Sequence, residues 1–123
     1  MKITEIAFVV YPVADLARAR QFYEGTLGLT PTQIYGDESK GMVEYDIGAG
    51  TLSIGCGASQ FKPASGGGSV ALEVDDFDEA VGRVRASGCP FVTEPVETPA
   101  CHIAIFSDPD GNTVMLHRRK AIS

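Results

Sequence analysis

The chain has 123 residues, 44% of them hydrophobic and 21% charged, so it is long enough to bury the core of one domain of ordinary size. The formal net charge of -6 provides no basic field for phosphates or anionic lipids, and we expect no nucleic acid or membrane partner. Its three cysteines form no close pair and the N-terminal apolar run is too short for a signal or spanning segment, so we expect a cytoplasmic protein.

The chain begins with a predicted strand and helix. Residues 3–10 are rich in Ile, Val and Phe and predict a buried strand. Asp15 is a good helix N-cap, apolar residues follow it at helical spacing, and Gly28 is placed to end the helix in a left-handed turn. We expect the polar side chains of residues 18–24 to face solvent.

Turn formers and charges then predict a loop over residues 31–41. Two strands follow, at residues 42–47 and 51–55, and the glycines between them predict a hairpin. Residues 58–68 lose periodicity and fill with Gly, Ser and Pro, which is the composition of a flexible linker.

The second half opens again with a strand and a helix. Residues 69–74 predict the strand, and Asp76 with Glu79 three residues later predicts a capping box at the start of a helix that Gly88 ends. Residues 90–93 predict a short strand.

A closing hairpin completes the chain. Residues 94–99 predict a loop, after which two apolar runs flank the sequence DPDGN, whose residues reverse a chain. Because strand residues alternate between faces, Val114 and Leu116 should point to one face of the sheet, and Met115 and His117 to the other. The contents of that second face decide the function.

The two halves repeat at an offset of 61 residues, as the helix caps Asp15 and Asp76 illustrate. Each half reads as strand, helix and further strands, and each sheet alone would leave one face uncovered. We therefore predict an α+β fold with two tandem modules, about 1–57 and 69–123, in a single domain of residues 1–123. Their curved sheets should pair around a central cavity, with the helices on the outer faces.

Three stretches carry a resemblance to a known family: VADLARARQFYEGTLGL in the first half, and VDDFDEAVGRVRASG and SDPDGNTVMLH in the second. Together they resemble the vicinal oxygen chelate superfamily, which contains glyoxalase I, extradiol dioxygenases, fosfomycin resistance enzymes and bleomycin-binding proteins. The resemblance implies two βαβββ modules that form a concave site, often with a divalent metal held by one residue from each of four strands.

The resemblance also assigns the four metal positions. The family's first ligand falls seven residues before the helix cap, which gives Phe8 in the first module and Ser69 in the second. The family's glutamate, three residues after the turn asparagine, falls on Met115, and its counterpart in the first module is Ser53. These residues include no imidazole or carboxylate, so we expect no metal and no other cofactor.

Two polar residues share the face of Met115 and should lie at the rim of the cavity. His117 follows two residues later and would orient a ligand, act as a base, or simply end a strand. Glu73 would be the one charge in the cavity, or a carboxylate that reaches water. The predicted ligand cavity is thus formed by Phe8, Ser53, Ser69, Glu73, Met115 and His117.

Aromatic walls for this cavity come from Tyr45 and Phe61, although burial in an ordinary core explains both equally well. Cys101 and His102 are adjacent and should face opposite ways, so they cannot act together as thiol and base. We interpret Cys101 as core filler.

Two classes of function stay open. The first is a metal-free module, in the manner of the bleomycin-binding proteins, that binds a small, partly apolar or aromatic molecule. The second is a metal-dependent glyoxalase-like lyase or dioxygenase with ligands relocated to Glu44, Glu73, His102 or His117. We favour the first, and we expect a homodimer, because paired curved sheets leave apolar edges and the resembled family commonly forms dimers.

Overall fold

The computed structural model describes residues 1–59, 62–64 and 68–120. The chain divides into two compact units, Met1–Pro63 and Ala64–Ser123, which we call the first and second modules. Each contains one four-stranded sheet and helical segments, so the predicted α+β fold is confirmed. Among the residues described, no helix is long and apolar enough to cross a membrane.

The sheet of the first module has the strand order β1-β4-β3-β2, with β1 parallel to β4 and the other neighbours antiparallel. Asp15 caps the helix as predicted, because its Oδ1 accepts a hydrogen bond from the Arg18 N–H at 3.0 Å. In chain order the elements are β1 (Val9–Pro12), α1 (Leu16–Arg20), a π-helical continuation (Gln21–Thr26), β2 (Gln33–Gly36), β3 (Gly41–Ile47) and β4 (Gly50–Cys56).

Two predictions for this module were wrong, one for the extent of a strand and one for a loop. The strand predicted over residues 3–10 begins at Val9, because β4 starts at Gly50 and residues 3–6 extend past the end of their partner. The loop predicted over residues 31–41 contains β2, whose four residues are all exposed, so no apolar pattern marked it.

The helix packs on one face of the first sheet, which we call its helix face. Tyr23 stacks on Tyr45 of β3, with ring centroids 6.1 Å apart, and both side chains are fully buried. Tyr23 is buried as its helical spacing predicts, and the π-helical segment also turns the neighbouring Phe22 toward the core. The opposite side of each sheet is called the far face below.

The second module repeats this topology with the strand order β5-β8-β7-β6, and β5 is parallel to β8. Asp76 caps α2 as predicted, since its Oδ1 accepts from the Glu79 N–H at 3.1 Å. The elements are β5 (Ser69–Glu73), α2 (Phe77–Ala86), β6 (Phe91–Glu97), β7 (Cys101–Ser107) and β8 (Thr113–Arg119).

The edge strand β6 is longer than predicted. It continues to Glu97 through most of the loop predicted at residues 94–99, with two register shifts against β7 between Phe91 and Val96. Pro95 lies in this irregular part, where a missing backbone N–H is tolerated.

The closing hairpin between β7 and β8 is confirmed. The buried carboxylate of Asp108 accepts hydrogen bonds from the backbone N–H of Asp110 at 2.9 Å and from the backbone N–H and side-chain amide of Asn112, both at 2.8 Å. Val114 and Leu116 are buried, whereas Met115 and His117 are half-buried on the far face, as their alternation predicts.

Candidate binding faces of the two sheets

Met115 occupies the middle of the far face of the second module. The strand register places Ala71 of β5 on one side of it and Ile105 of β7 on the other. The three side chains therefore form an apolar row across the sheet. Because Met115 is half-buried rather than enclosed, this row is accessible to a ligand.

His117 and Glu73 form a hydrogen-bonded pair on the same face. His117 Nδ1 lies 2.5 Å from Glu73 Oε1, and Glu73 Oε2 accepts from the backbone N–H of Arg119 at 2.7 Å. These contacts, with the Arg119 N–H as the larger influence, lower the pKa of Glu73 and keep its carboxylate ionised at neutral pH. Sequence reasoning found both residues but not their pairing, which depends on the register of β5 against β8.

Ser69 lies at the start of β5 on this far face and is exposed. Its register partner Thr113 donates a side-chain hydrogen bond to the carbonyl oxygen of Gly68 at 2.7 Å, which fixes the start of both strands. The far face of the second module thus carries four of the six predicted site residues, namely Ser69, Glu73, Met115 and His117.

The other two predicted residues belong to the first module. Ser53 lies in the middle of β4 between Val10 of β1 and Glu44 of β3. In the repeat, Ser53 of the first module corresponds to Met115 of the second. Ser53 is fully buried, and its hydroxyl has no hydrogen-bond partner among the residues described. Phe8 lies one residue before β1 and is 50% exposed.

The side chains at the four family metal positions do not fit a divalent ion. Phe8 has no donor atom, Met115 offers only a soft thioether, and Ser53 and Ser69 offer neutral hydroxyls. Within the described part of the chain, no group of three or more His, Cys, Asp or Glu side chains lies together in a way that would hold a metal ion.

The position of His102 excludes it from the alternative set of metal ligands. His102 lies on the helix face of the second module, with its ring 5.5 Å from the ring of Phe77 in α2. His117 lies on the far face, so the two histidines of the chain cannot bind one metal together. Glu44, Glu73 and His117 remain on far faces.

The remaining candidates are structural. Tyr45 is a core residue rather than a cavity wall, since it is fully buried on the helix face. Cys101 and His102 face opposite ways as predicted, but Cys101 is half-buried on the far face rather than in the core, with its thiol 3.3 Å from the Thr98 hydroxyl. The aromatic wall predicted at Phe61 falls outside the described residues.

A shallow cavity of about 180 Å³ in the first module was not predicted from sequence. Tyr35 and Met42 line it together with the thiol-bearing Cys56, at the end of the β2–β3 hairpin. Its volume is below the roughly 300 Å³ at which ligand pockets usually begin. We therefore place the candidate site on the far faces instead.

Each module follows the order strand, helix and three strands, so the chain is a tandem βαβββ protein. A sequence profile of the Glyoxalase/Bleomycin resistance protein/Dioxygenase superfamily matches residues 5–116. The chain therefore belongs to this superfamily, as the resemblance of its three stretches implied.

Solved structures with the same fold include TnmS3, an antibiotic binding protein from Streptomyces sp. CB03234. It aligns with a TM-score of 0.80 and 25% identity over 98% of this chain and 99% of that protein. A glyoxalase/bleomycin resistance protein from the same organism aligns with a TM-score of 0.74 and 26% identity, over 91% of this chain and 98% of that one.

The curated relatives are longer proteins. A putative lactoylglutathione lyase from Brassica oleracea var. gemmifera is 32% identical over 121 residues, which cover 90% of this chain and 43% of the relative. A lactoylglutathione lyase of Arabidopsis thaliana is 31% identical with the same coverage. The chain thus spans less than half the length of these relatives.

Proposed function

We propose that this protein binds a small, partly apolar or aromatic molecule on the far faces of its sheets without a metal ion. The observation that carries the proposal is the chemistry of the four family metal positions, where apolar groups and hydroxyls replace imidazoles and carboxylates. Apolar lining with a few convergent polar groups is typical of small-molecule sites. The likeness to an antibiotic binding protein adds support.

Binding is tested first by native mass spectrometry of protein purified from its own host, which reveals any retained mass. The matched variants are Ser69→Phe, which places a ring over the apolar row, and Ser69→Ala, which does not. Because Ser69 is exposed, both variants should fold. Loss of binding in Ser69→Phe alone supports the site, whereas equal binding by both variants contradicts it.

The absence of a metal is a separate expectation. Elemental analysis of protein purified without an affinity tag should find less than a stoichiometric amount of Zn, Ni, Fe or Mn. About one equivalent per chain that disappears on mutating Glu73 or His117 would contradict the proposal and identify those residues as ligands.

The second candidate is a metal-dependent, glyoxalase-like lyase, which the identity to the two lactoylglutathione lyases favours. Its remaining ligand candidates are Glu44, Glu73 and His117. An assay for formation or breakdown of lactoylglutathione, with and without added Zn²⁺ or Ni²⁺, tests it. Metal-dependent turnover that Glu73→Gln abolishes would favour this candidate over the metal-free one.

We also propose that the protein is a cytoplasmic homodimer. Apolar side chains are exposed on one edge strand of each sheet, with Ile34 in β2 at 55% and Val92 in β6 at 61%, and closed two-fold pairing is the usual way to cover such edges. The three cysteines are free, which suits a reducing compartment. Light scattering at micromolar concentration that gives the mass of one chain would contradict the dimer.

A further inference from the structure

The Glu73 carboxylate is held by two donors at once. Its Oε2 atom accepts from the Arg119 backbone N–H, and its Oε1 atom contacts His117 Nδ1. An ionised carboxylate only accepts hydrogen bonds, so Nδ1 must carry the hydrogen in this contact. In its neutral form, the imidazole of His117 then has its lone pair on Nε2.

His117 Nε2 is therefore a hydrogen-bond acceptor on the far face. Among the described residues it has no hydrogen-bond partner, and the His117 side chain is 25% exposed. Two of its neighbours on this face are apolar: Ile103 lies beside it on β7, and Met115 lies two residues before it on β8, about 6.6 Å along the strand.

The charged and titratable groups of the second module that share this end of the face are few. Glu73 on β5 is already paired, Arg119 follows His117 on β8, and Cys101 is the register partner of Arg119 on β7. Of these groups, only Arg119 and Cys101 carry side-chain donors, and both lie beyond His117 relative to Met115. The stretch from Met115 to His117 thus combines an apolar surface with the Nε2 acceptor of His117.

We propose that His117 Nε2 selects ligands that carry an aromatic hydroxyl group. The hydroxyl donates to Nε2 while the ring lies on Met115 and Ile103, where the thioether makes favourable contacts with aromatic rings. This inference rests on the proposed function and assigns the ligand class and a specificity-determining residue to the same face.

A single substitution at Glu73 should convert His117 Nε2 from a hydrogen-bond acceptor to a donor. In Glu73→Gln the side-chain carbonyl must face the Arg119 N–H, because that backbone donor is fixed in the strand. The amide NH₂ group then faces His117 Nδ1 and requires it to accept. The hydrogen moves to Nε2, which becomes a donor, and the preference for a hydroxyl should reverse toward an ether.

The test uses 2-naphthol and 2-methoxynaphthalene, in which a methyl ether replaces the hydroxyl donor. Dissociation constants are measured by protein NMR titration with the wild type, Glu73→Gln and the acceptor-free His117→Phe. We expect the wild type to bind 2-naphthol roughly three- to tenfold more tightly than the ether, as one neutral hydrogen bond allows. Glu73→Gln should prefer the ether, and His117→Phe should show no preference.

The tautomer gives an independent readout. A long-range ¹H–¹⁵N spectrum at alkaline pH resolves both histidines of the chain, with His102 as the internal control. We expect His117 to be protonated on Nδ1 in the wild type and on Nε2 in Glu73→Gln, with His102 unchanged.

The outcomes separate this inference from the function on which it rests. Failure of the wild type to bind either naphthalene overturns the proposed aromatic site. Equal binding of both compounds leaves that site in place and overturns the selection by His117. A wild-type His117 that is protonated on Nε2, or on both nitrogens, overturns it as well.

Discussion

Replacing Tyr45 by Phe removes one hydroxyl group from the interior of the first module. That hydroxyl donates to Glu24 Oε2 at 2.9 Å, and the same oxygen accepts from Arg20 Nε at 2.7 Å. The ring is fully buried and stacked on Tyr23, so phenylalanine can occupy the same space without leaving a cavity of ring size. The change therefore isolates one hydrogen bond to a charged group.

A hydrogen bond to a charged group contributes about 1.5–3 kcal/mol. A loss of ~2 kcal/mol should lower the Tm by roughly 8 °C in a chain of this length. The effect should depend on pH, because hydrogen bonds from Arg20 and, less strongly, from Tyr45 lower the pKa of Glu24, although burial opposes them.

The direction of this pH dependence follows from the lowered pKa of Glu24. A carboxyl group with a lowered pKa in the folded state stabilises the fold above its unfolded pKa, and the contribution is lost as the pH falls through the folded value. The ordinary pKa of Glu24 is 4.5. The stability difference between the wild type and Tyr45→Phe should thus be complete at neutral pH and shrink below this value.

Thermal unfolding followed by circular dichroism at about pH 7 and about pH 3.5 measures both effects. Tyr35→Phe is the matched control, because Tyr35 is half-exposed and has no hydroxyl hydrogen bond within the described residues. The reasoning is refuted if Tyr45→Phe unfolds at the wild-type temperature, or if its deficit is the same at both pH values.

Four further substitutions test other parts of the structure by the same unfolding assay. Ser53→Ala should stabilise the ligand-free protein by about 1 kcal/mol, because it removes a buried hydroxyl without a described partner, and a clear loss of stability would contradict this. Asp108→Ala should cost roughly 3 kcal/mol by removing three hydrogen bonds of the turn, and an unchanged Tm would show that the turn is held in another way. Gly57→Ala should destabilise the first module because its backbone has a φ of +83° and the added Cβ would overlap a loop carbonyl, whereas Gly82→Ala in open space on α2 should add up to ~1 kcal/mol. Equal effects of the two glycine changes would contradict this contrast.

The helix caps and the closing hairpin were predictable from the sequence, because the signals that define them are local. Asp15 and Asp76 each accept from the backbone N–H three residues later, and the turn after β7 is closed by the Asp108 side chain within four residues. The alternation along β8 likewise assigns Met115 and His117 to one face, because it depends on that strand alone.

The edge strands β2 and β6 were the least predictable elements. All four residues of β2 are exposed, and most of β6 is, so neither strand carries the apolar alternation that a half-buried strand requires. Their hydrogen bonds to β3 and β7 define them instead, and such pairing cannot be read from the composition of the edge itself.

The sequence by itself determined that the chain repeats and where its helices begin, and it predicts that the family metal positions carry no suitable ligands. Only the tertiary structure decided that Glu73 meets His117, 44 residues later, and that Tyr45 bonds to Glu24, 21 residues earlier. It also decided that the Ser53 hydroxyl is buried without a partner among the described residues. Caps and turns arise between neighbours in the chain, whereas these contacts follow from strand register and helix packing, which distant segments fix together.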